Sequence, residues 1–388
     1  MKRSEGALRI AITKGSLLIP PTYFAVQHAQ RLSDEFDFSV FAGTTEITDA
    51  SARHSLRIVD ALDDVLPVSR RLSARHREIV SAAMPRVLRR KIAQWHPDVI
   101  HQHFGYASLP AVHAAKDSRA RLLVTVHGGD AFSMLKTMSS RSLAGRPALA
   151  RMQRHVSAAY RHADTILAVS DYIAGIAVQG GADARRVRVH YQGVDTEWFH
   201  PAEHESRQIP RLLFVGRLVE TKGVRDLIEA STAIVKEQPH ELDVVGGGPL
   251  LDELRAIAPS HVHVRGSQPR SAVKTYMQQA DALVLPTRIN NGAREAAGLV
   301  LVEAQACGTP VIAYDSGGTS EMVDDGVTGT LTREGDVGEL ADAVAQFLSL
   351  PEPTRRRMRD DARSFAVRSR SLDESCRQLS AIYTEEHQ

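Results

Sequence analysis

Short runs of apolar, β-branched residues alternate along the whole chain with longer stretches of helical periodicity. Most of these runs are continuous, which is typical of strands covered by helices on both faces. The regular order of strand and helix predicts doubly wound, parallel α/β domains. The predicted strands are Leu8–Thr13, Phe38–Phe41, Leu56–Val59, Asp98–His101, Leu122–His127, Thr165–Val169, Leu212–Val215, Leu242–Val245, His261–Val264, Ala282–Leu285 and Val311–Tyr314.

The segment 193–210 interrupts this pattern, and a strand begins again at Arg211. We therefore predict an N-terminal domain over 1–200, a C-terminal domain over 201–370 and a final helix over 371–388 that packs back on the first domain. The residues that break the pattern are Pro201, His204, Ser206 and Pro210.

Composition narrows the class of protein. The chain has 388 residues, of which 43% are hydrophobic and 24% charged, the mix of an ordinary globular protein. Its two cysteines, Cys307 and Cys376, are too few for a disulfide framework and indicate a reducing compartment. Arg9 interrupts the first apolar run, and no run reaches the roughly 18 apolar residues of a membrane span. We expect a cytoplasmic protein.

The charge is divided unevenly between the two halves. Residues 1–200 carry 27 Lys and Arg against 18 Asp and Glu, whereas residues 201–388 carry 21 against 28. The stretch from Arg70 to Lys91 concentrates basic residues with apolar residues at roughly helical spacing. It suits either a solvated helix face or a peripheral contact with an anionic membrane at its inner, cytoplasmic face. Nucleic acid is not expected, because no binding motif or aromatic platform is present.

Ligands of open parallel sheets bind beyond the carboxyl ends of the strands, so the residues that follow each strand are the candidates for chemistry. Arg217 and Lys222 follow the first strand of the second half and precede a helix. Two cations at a helix N-terminus suit a diphosphate. The alternative is a pair of solvated surface charges.

Three glycines, Gly246 to Gly248, follow the next strand and allow a backbone to approach a ligand closely. They do not form the dinucleotide fingerprint, because Leu251 stands where its third glycine belongs. A nicotinamide enzyme is therefore unsupported, and a tight strand-to-helix turn is the alternative.

Glu295 and Glu303 flank Gly298, which is placed to open a helix whose first free N–H groups belong to Gly298, Leu299 and Val300. Eight residues of helix rise about 12 Å, whereas hydrolase carboxylates lie about 5–9.5 Å apart. A hydrolytic acid/base pair is thus disfavoured. Two carboxylates that bind the hydroxyl groups of different parts of one ligand fit better.

Three histidines stand near neighbouring strand ends of the first half: His101, His103 and His127. Only a His-x-His spacing supports zinc, so hydrogen-bonded strand-end histidines are the favoured interpretation. His127, next to two glycines and Asp130, is the better active-site candidate.

The chain resembles the retaining GT-B glycosyltransferases of glycosyltransferase family 4, because nine sequence motifs occur in the order that this family has. The resemblance spans nearly the whole chain. Its motifs are HQHFG, TVHGGD, ADTILAVSDYI, VHYQGVD, FVGRLVETKG, VVGGGPL, ADALVLPT, EAAGLVLVEAQACGTPVIA and GGTSEMVDDGVTG.

The resemblance implies two Rossmann-like domains facing a cleft, with an N-terminal acceptor domain and a C-terminal donor domain. Arg217 and Lys222 would then neutralise the donor diphosphate, together with backbone N–H groups of Gly298, Leu299 and Val300. Glu295 would bind donor sugar hydroxyls and Glu303 the ribose diol. The remaining implied donor contacts are Gly15, Gly248, Arg265 and Gly266, with 265–268 against the base. His127 would lie at the reaction centre with Asp130 nearby.

The implied activity is retaining transfer of a hexose from a UDP- or GDP-linked sugar to a glycan, lipid-linked or small-molecule acceptor, as in polysaccharide biosynthesis. The leaving diphosphate would accept the acceptor proton, so no separate protein base is required, and the resemblance implies no metal or other cofactor. Departures from the family pattern are Ala296 and Ala297 after the first glutamate, Gly247 in place of an acidic residue, and one glycine in Lys14-Gly15-Ser16. The alternatives are a non-catalytic nucleotide-sugar binding protein and another GT-B enzyme, an epimerase or phosphorylase.

Overall fold

The computed structural model describes residues 7–19, 24–47, 56–65, 84–136, 146–203, 208–289, 292 and 294–385. Contacts divide the described chain into two compact units. Residues 191–374 form the second unit, and the rest, including 375–385 of the last helix, forms the first. Every strand pairing within the two sheets is parallel, and the predicted pair of doubly wound α/β domains is confirmed.

The first unit is built on a seven-stranded sheet with the order β3-β2-β1-β4-β5-β6-β7. The strand order reverses between β1 and β4, which makes their carboxyl ends the expected ligand edge. Its central strands are buried on both faces, as their continuous apolar runs predict. The strands are β1 Arg9–Ile19, β2 Asp37–Ile47, β3 Arg57–Asp60, β4 Val99–His103, β5 Arg121–Val126, β6 Thr165–Ala168 and β7 Val187–Val189.

Helices cover this sheet. The last helix, α14 (Leu372–Thr384), packs on the sheet through Tyr383, whose hydroxyl lies 2.6 Å from Nδ1 of His101. The described helices of this part are α1 Phe24–Arg31, α2 Ala61–Val65, α3 Met84–Gln94, α4 Leu109–Ser118, α5 Gly129–Leu135, α6 Arg146–His162, α7 Asp171–Gln179 and α14 Leu372–Thr384.

The second unit has a six-stranded sheet with the order β10-β9-β8-β11-β12-β13, which reverses between β8 and β11. Phe214 and Tyr314 fill its core. The strands are β8 Arg211–Val215, β9 Glu241–Val245, β10 Val262–Gly266, β11 Ala282–Leu285, β12 Val311–Asp315 and β13 Gly329–Arg333. The helices are α8 Val224–Ile234, α9 Leu251–Ile257, α10 Arg270–Gln279, α11 Leu299–Ala306, α12 Val337–Ser349 and α13 Glu352–Ser369.

The first strand is longer than the sequence pattern predicts. It runs to Ile19 because Leu17 and Ile19 are buried beyond Thr13, and it stays in register with β2 over that length. Lys14-Gly15-Ser16 is therefore strand rather than the loop that the resemblance implies. Strands β7 and β13 were not predicted, because both alternate apolar with polar residues over a very short length.

The basic stretch begins outside the described residues, so only its last part, α3, has a described structure. The apolar residues Leu88 and Ile92 of α3 are buried in the first unit, and Arg89 pairs with Asp117 at 2.6 Å. The apolar side of α3 is thus not available to lipid, and its basic side is a solvated face. In the part of the chain that the structure describes, no helix is long and apolar enough to span a membrane.

Candidate active site

The loops after β8 and β11 meet at the point where the strand order of the second sheet reverses. The N–H of Arg288, after β11, donates to the carbonyl of Thr221, after β8, at 2.9 Å. Gly223 stands in the left-handed region at φ 62°, and a side chain there would overlap the carbonyl oxygen of Pro286. Only glycine fits so close an approach. The loop is therefore fixed against β11, with Lys222 held at this edge.

Lys222 and Glu295 form an ion pair at this edge, between Nζ and Oε2. The same carboxylate oxygen accepts from Oγ1 of Thr287 at 3.2 Å. The Lys222 side chain is 25% exposed and that of Glu295 is 13% exposed. Burial by itself raises the pKa of Glu295. The charge of Lys222, with hydrogen bonds from Lys222, Thr287 and the Gly298 N–H, outweighs burial and lowers that pKa.

The helix that follows, α11, begins immediately after Gly298 and has no side-chain N-cap. Its first amides belong to Leu299 and Val300 and carry the positive end of the helix dipole. The N–H of Gly298 is already directed to Glu295. The structure thus leaves Leu299 and Val300, rather than all three predicted amides, at the helix N-terminus without a side-chain cap.

Glu303 lies one turn further along α11, facing α10. Burial raises its pKa to about 7, and the positive charge of Arg270 on α10 opposes this. The Arg270 guanidinium lies 5.4 Å from the ring centre of Trp198 and 5.2 Å from that of Phe199. A carboxyl group with a pKa near neutrality changes charge in the physiological range, which suits hydroxyl recognition in either form.

The other residues predicted to contact the donor differ in their exposure and in their hydrogen-bond partners. Arg217 is exposed. Arg265 is turned back to Asp243, with Nε 2.6 Å from Oδ1 of that fully buried carboxylate. Its guanidinium is thus held by β9 rather than free for a base, while its carbonyl accepts from Gln268 at 2.9 Å. Gly266 ends β10 at φ 70°, and Gly248 lies against the carbonyl of Leu218.

In the first unit, Asp130 uses its carboxylate to hold two loops. Oδ2 accepts from the N–H of Gly105 at 2.8 Å, and Oδ1 accepts from the N–H of His127 and of Ala131 at 3.0 and 3.1 Å. Burial raises its pKa, and these N–H groups oppose the rise. Asp130 is therefore a positioning residue for His127, and its carboxylate is committed to the backbone.

The His127 ring is enclosed by aromatic side chains. Its centre lies 4.1 Å from that of Phe104 and 4.6 Å from that of Phe24. Its Nε2 lies 3.2 Å from Nδ1 of His103, which in turn stacks on His101. Burial lowers the pKa of all three histidines, so they are neutral at pH 7. His101 and His103 lie within β4 rather than after it.

The three histidines are held by hydrogen bonds and ring stacking: His103 bonds His127, and His101 stacks on His103. His101 is bonded through both ring nitrogens, to Tyr383 at 2.6 Å and to Thr125 at 2.7 Å. Among the described residues, no group of three or more His, Cys, Asp or Glu side chains is placed to hold a metal ion. The zinc alternative has no support in the described structure.

Gly15 has a packing role in the first unit. A Cβ at Gly15 would lie 2.7 Å from Cβ of Ala107, so the strand can pass that turn only with glycine. Its flanking residues pair with β2. The structure thus places Gly15 in the sheet and not in a phosphate-binding loop.

Sequence reasoning missed several residues that shape the site. Thr287 completes the Glu295 contacts, Asp243 holds Arg265, and Phe104 encloses His127. A polar residue two positions after β11 is a signal that could have pointed to Thr287. The roles of Asp243 and Phe104 depend on which strands and loops become neighbours in the sheets, which the local pattern does not contain.

Two family models match the chain. Residues 22–198 match the model described as glycosyltransferase family 4, and residues 196–365 match the one described as glycosyl transferases group 1. Together they cover most of both units.

Several characterised proteins are similar in sequence. A GDP-mannose-dependent alpha-(1-6)-phosphatidylinositol monomannoside mannosyltransferase of Mycobacterium tuberculosis is 30% identical over 313 residues, 74% of this chain and 77% of that protein. Glycogen synthase of the same organism is 31% identical over 277 residues, 68% of this chain and 63% of that protein. D-inositol 3-phosphate glycosyltransferase 2 of Catenulispora acidiphila is 35% identical over 49% of each chain. The match thus spans less than two thirds of these last two relatives.

Solved structures share the fold over nearly the whole chain. Anabaena HepE in complex with UDP and glucose superposes with a TM-score of 0.73 at 18% identity, covering 98% of this chain and 100% of HepE. Sucrose-phosphate synthase from Thermosynechococcus elongatus superposes with a TM-score of 0.76 at 19% identity, covering 97% and 98%. These structures show that the chain shares their fold.

Proposed function

The chain belongs to glycosyltransferase family 4, and from that premise we propose that it is a retaining hexosyltransferase. It transfers a hexose from a nucleotide diphosphate sugar to an acceptor hydroxyl. The observation that carries this proposal is the Lys222–Glu295 pair at the carboxyl ends of β8 and β11, beside the N-terminus of α11.

This arrangement offers one donor molecule two kinds of contact. The ammonium of Lys222 and the uncapped amides of Leu299 and Val300 suit phosphate oxygens, because both carry positive charge. The carboxylate of Glu295 suits sugar hydroxyls, since it accepts hydrogen bonds and is kept ionised by its neighbours. A bound diphosphate competes with Glu295 for Lys222 and so leaves the carboxylate free for the sugar.

In the proposed reaction, the bond between the anomeric carbon and the diphosphate oxygen breaks while the acceptor oxygen bonds the same face of the sugar. The acceptor proton passes to the leaving phosphate oxygen, so no protein base is required. Arg217 and Lys222 stabilise the negative charge that develops on the diphosphate. His127 lies against the donor sugar, and Asp130 fixes its backbone.

Two donors follow from the relatives. The mannosyltransferase relative is named as GDP-mannose-dependent, and HepE was solved with UDP and glucose. Glu303 would bind the ribose diol that both nucleotides share, so it does not select between them. A thermal-shift panel of UDP, GDP and ADP selects the base, because a ligand at 100 times its dissociation constant stabilises by about 2.7 kcal/mol.

The decisive experiment is turnover with the selected nucleotide sugar and a mixed glycan and lipid-linked acceptor panel. We expect release of nucleoside diphosphate and, by NMR, a product with the anomeric configuration of the donor. Product of inverted configuration contradicts the retaining mechanism. Wild-type turnover by Arg217→Ala or Lys222→Ala contradicts the diphosphate role, and unchanged nucleotide affinity in Glu303→Gln contradicts the ribose role.

The same experiment distinguishes the alternatives. A non-catalytic binding protein, suggested by Ala296, Ala297 and Gly247, binds the nucleotide but neither transfers nor hydrolyses the donor. A phosphorylase requires inorganic phosphate, and an epimerase converts the donor without an acceptor. Phosphate-independent transfer to an acceptor therefore excludes all three.

We propose a cytoplasmic location, supported by Cys307 and Cys376, which are both buried and not disulfide-bonded. Peripheral contact with an anionic membrane would rest on charge alone in α3, because its apolar residues are buried. Sedimentation with liposomes with and without anionic lipid tests this contact, and absence of binding at low salt excludes it.

A further inference from the structure

Arg288 joins three segments at the carboxyl edge of the second sheet. It lies three residues after β11, and its N–H donates to the carbonyl of Thr221 at 2.9 Å. Its guanidinium lies 3.1 Å from Oδ1 of Asp226 on α8, and a second guanidinium nitrogen lies 3.9 Å from Oε2 of Glu220. The main chain and the side chain of Arg288 thus both contact the turn 220–222, which carries Lys222.

Asp226 gives Arg288 a fixed anchor. The Asp226 side chain is only 7% exposed, and its Oδ2 also accepts from the hydroxyl of Tyr314 at 3.2 Å. Tyr314 is fully buried in β12. Because a buried carboxylate is costly to leave without its cation, this pair holds the guanidinium in one place. Arg288 is therefore fixed between the core of the sheet and the first turn of α8.

Arg225, the neighbour of Asp226 on α8, makes contacts of a different kind. Its guanidinium pairs with Glu253 on α9 and lies 3.3 Å from Glu220. These carboxylates are 47% and 49% exposed, so the pairs lie at the surface. Among the described residues, the charged partners of Arg225 lie on α9 and in the turn, and not on the segment after β11. Arg225 thus matches Arg288 in charge and region but does not tie the turn to β11.

The position of the Lys222 ammonium depends on what holds its backbone. Lysine has a flexible four-carbon stem, and here Glu295 is the acid that fixes its end. A diphosphate that displaces Glu295 from Lys222 removes that restraint. The turn 220–222 then sets where the ammonium can reach, and Arg288 holds this turn through a backbone hydrogen bond and two carboxylates.

From these contacts we propose that Arg288 is a positioning residue for Lys222. It fixes the turn so that the Lys222 ammonium meets the negative charge that develops on the departing diphosphate. The inference rests on the proposed function for the role of Lys222. Misplacing a catalytic group by about 1 Å can cost about 100-fold in rate, because the stabilising charge must be in place beforehand. Loss of Arg288 should therefore lower kcat more than it weakens donor binding.

Steady-state kinetics with the nucleotide sugar that turns over tests the proposal, with Arg225→Met as the matched control for Arg288→Met. We expect Arg288→Met to lower kcat by about 10- to 100-fold and to change the donor KM by less than about threefold. Arg225→Met should keep kcat within about twofold of the wild type. In a Lys222→Met background, Arg288→Met should change kcat by less than about twofold, because the group that it positions is gone.

Three kinetic results overturn the proposal. The first is a kcat of Arg288→Met within about twofold of the wild type. The second is an equal loss of kcat in Arg225→Met, which makes the effect one of surface charge. The third is a full further loss on adding Arg288→Met to Lys222→Met, which assigns Arg288 a role independent of Lys222.

A second variant guards against misfolding. Arg288→Met leaves the buried Asp226 carboxylate without its cation, whereas the double variant Asp226→Asn/Arg288→Met leaves no charge there. The double variant should lower kcat as much as Arg288→Met does, with a melting temperature nearer that of the wild type. Wild-type kcat in the double variant overturns the proposal.

A readout that needs no donor separates this inference from the proposed function. If the wild type transfers no sugar, the proposed function fails, and the Lys222–Glu295 pair still reports the position of Lys222. A cycle of Lys222→Met and Glu295→Gln, followed by urea unfolding, measures the coupling of the two side chains. We expect the coupling constant to fall by at least about fivefold in Arg288→Met. An unchanged coupling constant overturns the role of Arg288.

Discussion

The Lys222–Glu295 pair is expected to be energetically coupled, and the strength of the coupling can be worked out from its surroundings. Exposed ion pairs contribute about 0.2–1 kcal/mol, whereas removing one partner of a buried pair costs about 3–5 kcal/mol. With side-chain exposures of 25% and 13%, this pair lies between these limits. We expect a coupling free energy of about 2 kcal/mol at pH 7.

The single substitutions are expected to be unequal. Lys222→Met leaves the Glu295 carboxylate with Thr287 and the Gly298 N–H as its partners among the described residues, and it should cost about 2–3 kcal/mol of unfolding free energy. Glu295→Gln leaves the more exposed ammonium of Lys222 in reach of water, and it should cost about 1–2 kcal/mol. The double variant should lose less than the sum.

The assay is urea unfolding followed by tryptophan fluorescence. The chain has two tryptophans, and Trp198 belongs to the second unit. In a Trp95→Phe background, Trp198 reports that unit alone. A matched cycle on Arg357 and Asp361, an exposed pair at 3.7 Å on α13, serves as control and should couple by less than about 0.5 kcal/mol.

The pH dependence adds a second criterion. Lys222 lowers the folded-state pKa of Glu295 below its ordinary 4.5, so the stabilisation is fully present above pH 4.5 and is lost as pH falls through the lower, folded-state pKa. A coupling at pH 7 no larger than that of the Arg357–Asp361 control would refute the reasoning. So would a coupling that does not shrink in acid.

Two further predictions concern other carboxyl groups. Because the folded-state pKa of Glu303 is raised to about 7, Glu303 by itself lowers the unfolding free energy by about 2 kcal/mol as pH rises from 4.5 to 7. The difference in unfolding free energy between the wild type and Glu303→Gln should change by this amount in urea titrations over that range. A difference that stays constant with pH assigns the effect to another group. Asp130→Ala removes the carboxylate that accepts from three backbone N–H groups, and it should destabilise the first unit by about 3 kcal/mol. The loss is measured from the fluorescence of Trp95 in a Trp198→Phe background. A loss below about 1 kcal/mol contradicts the positioning role of Asp130.

The candidate residues of the second unit were largely predictable from the sequence. Arg217, Lys222, Glu295 and Gly298 each follow a strand or open a helix, and those positions are encoded by local periodicity. What local pattern does not contain is the pairing of Lys222 with Glu295, which are 73 residues apart. The sequence analysis assigned Lys222 to the diphosphate and Glu295 to the sugar hydroxyls, whereas in the structure the two side chains form an ion pair.

The candidate residues of the first unit show the opposite balance. The sequence analysis predicted that Asp130 lies near His127 at the reaction centre. In the structure the Asp130 carboxylate instead accepts hydrogen bonds from three backbone N–H groups, so Asp130 positions the backbone. Gly15 was predicted in a loop, and burial of Leu17 and Ile19 draws it into β1 instead. Both differences arise from packing between segments distant in sequence.

The sequence by itself determined the two parallel α/β units, eleven of the thirteen described strands in their chain order, and the family, because continuous apolar runs, helix starts and strand-end motifs are local features. Only the tertiary structure decided which charges are neutralised. Lys222 has Glu295, Arg265 has Asp243, and Lys14 has aromatic rings alone within the described residues. The physical reason is that the strength and sign of an electrostatic contact depend on burial and on partners that only the fold brings within a few ångströms.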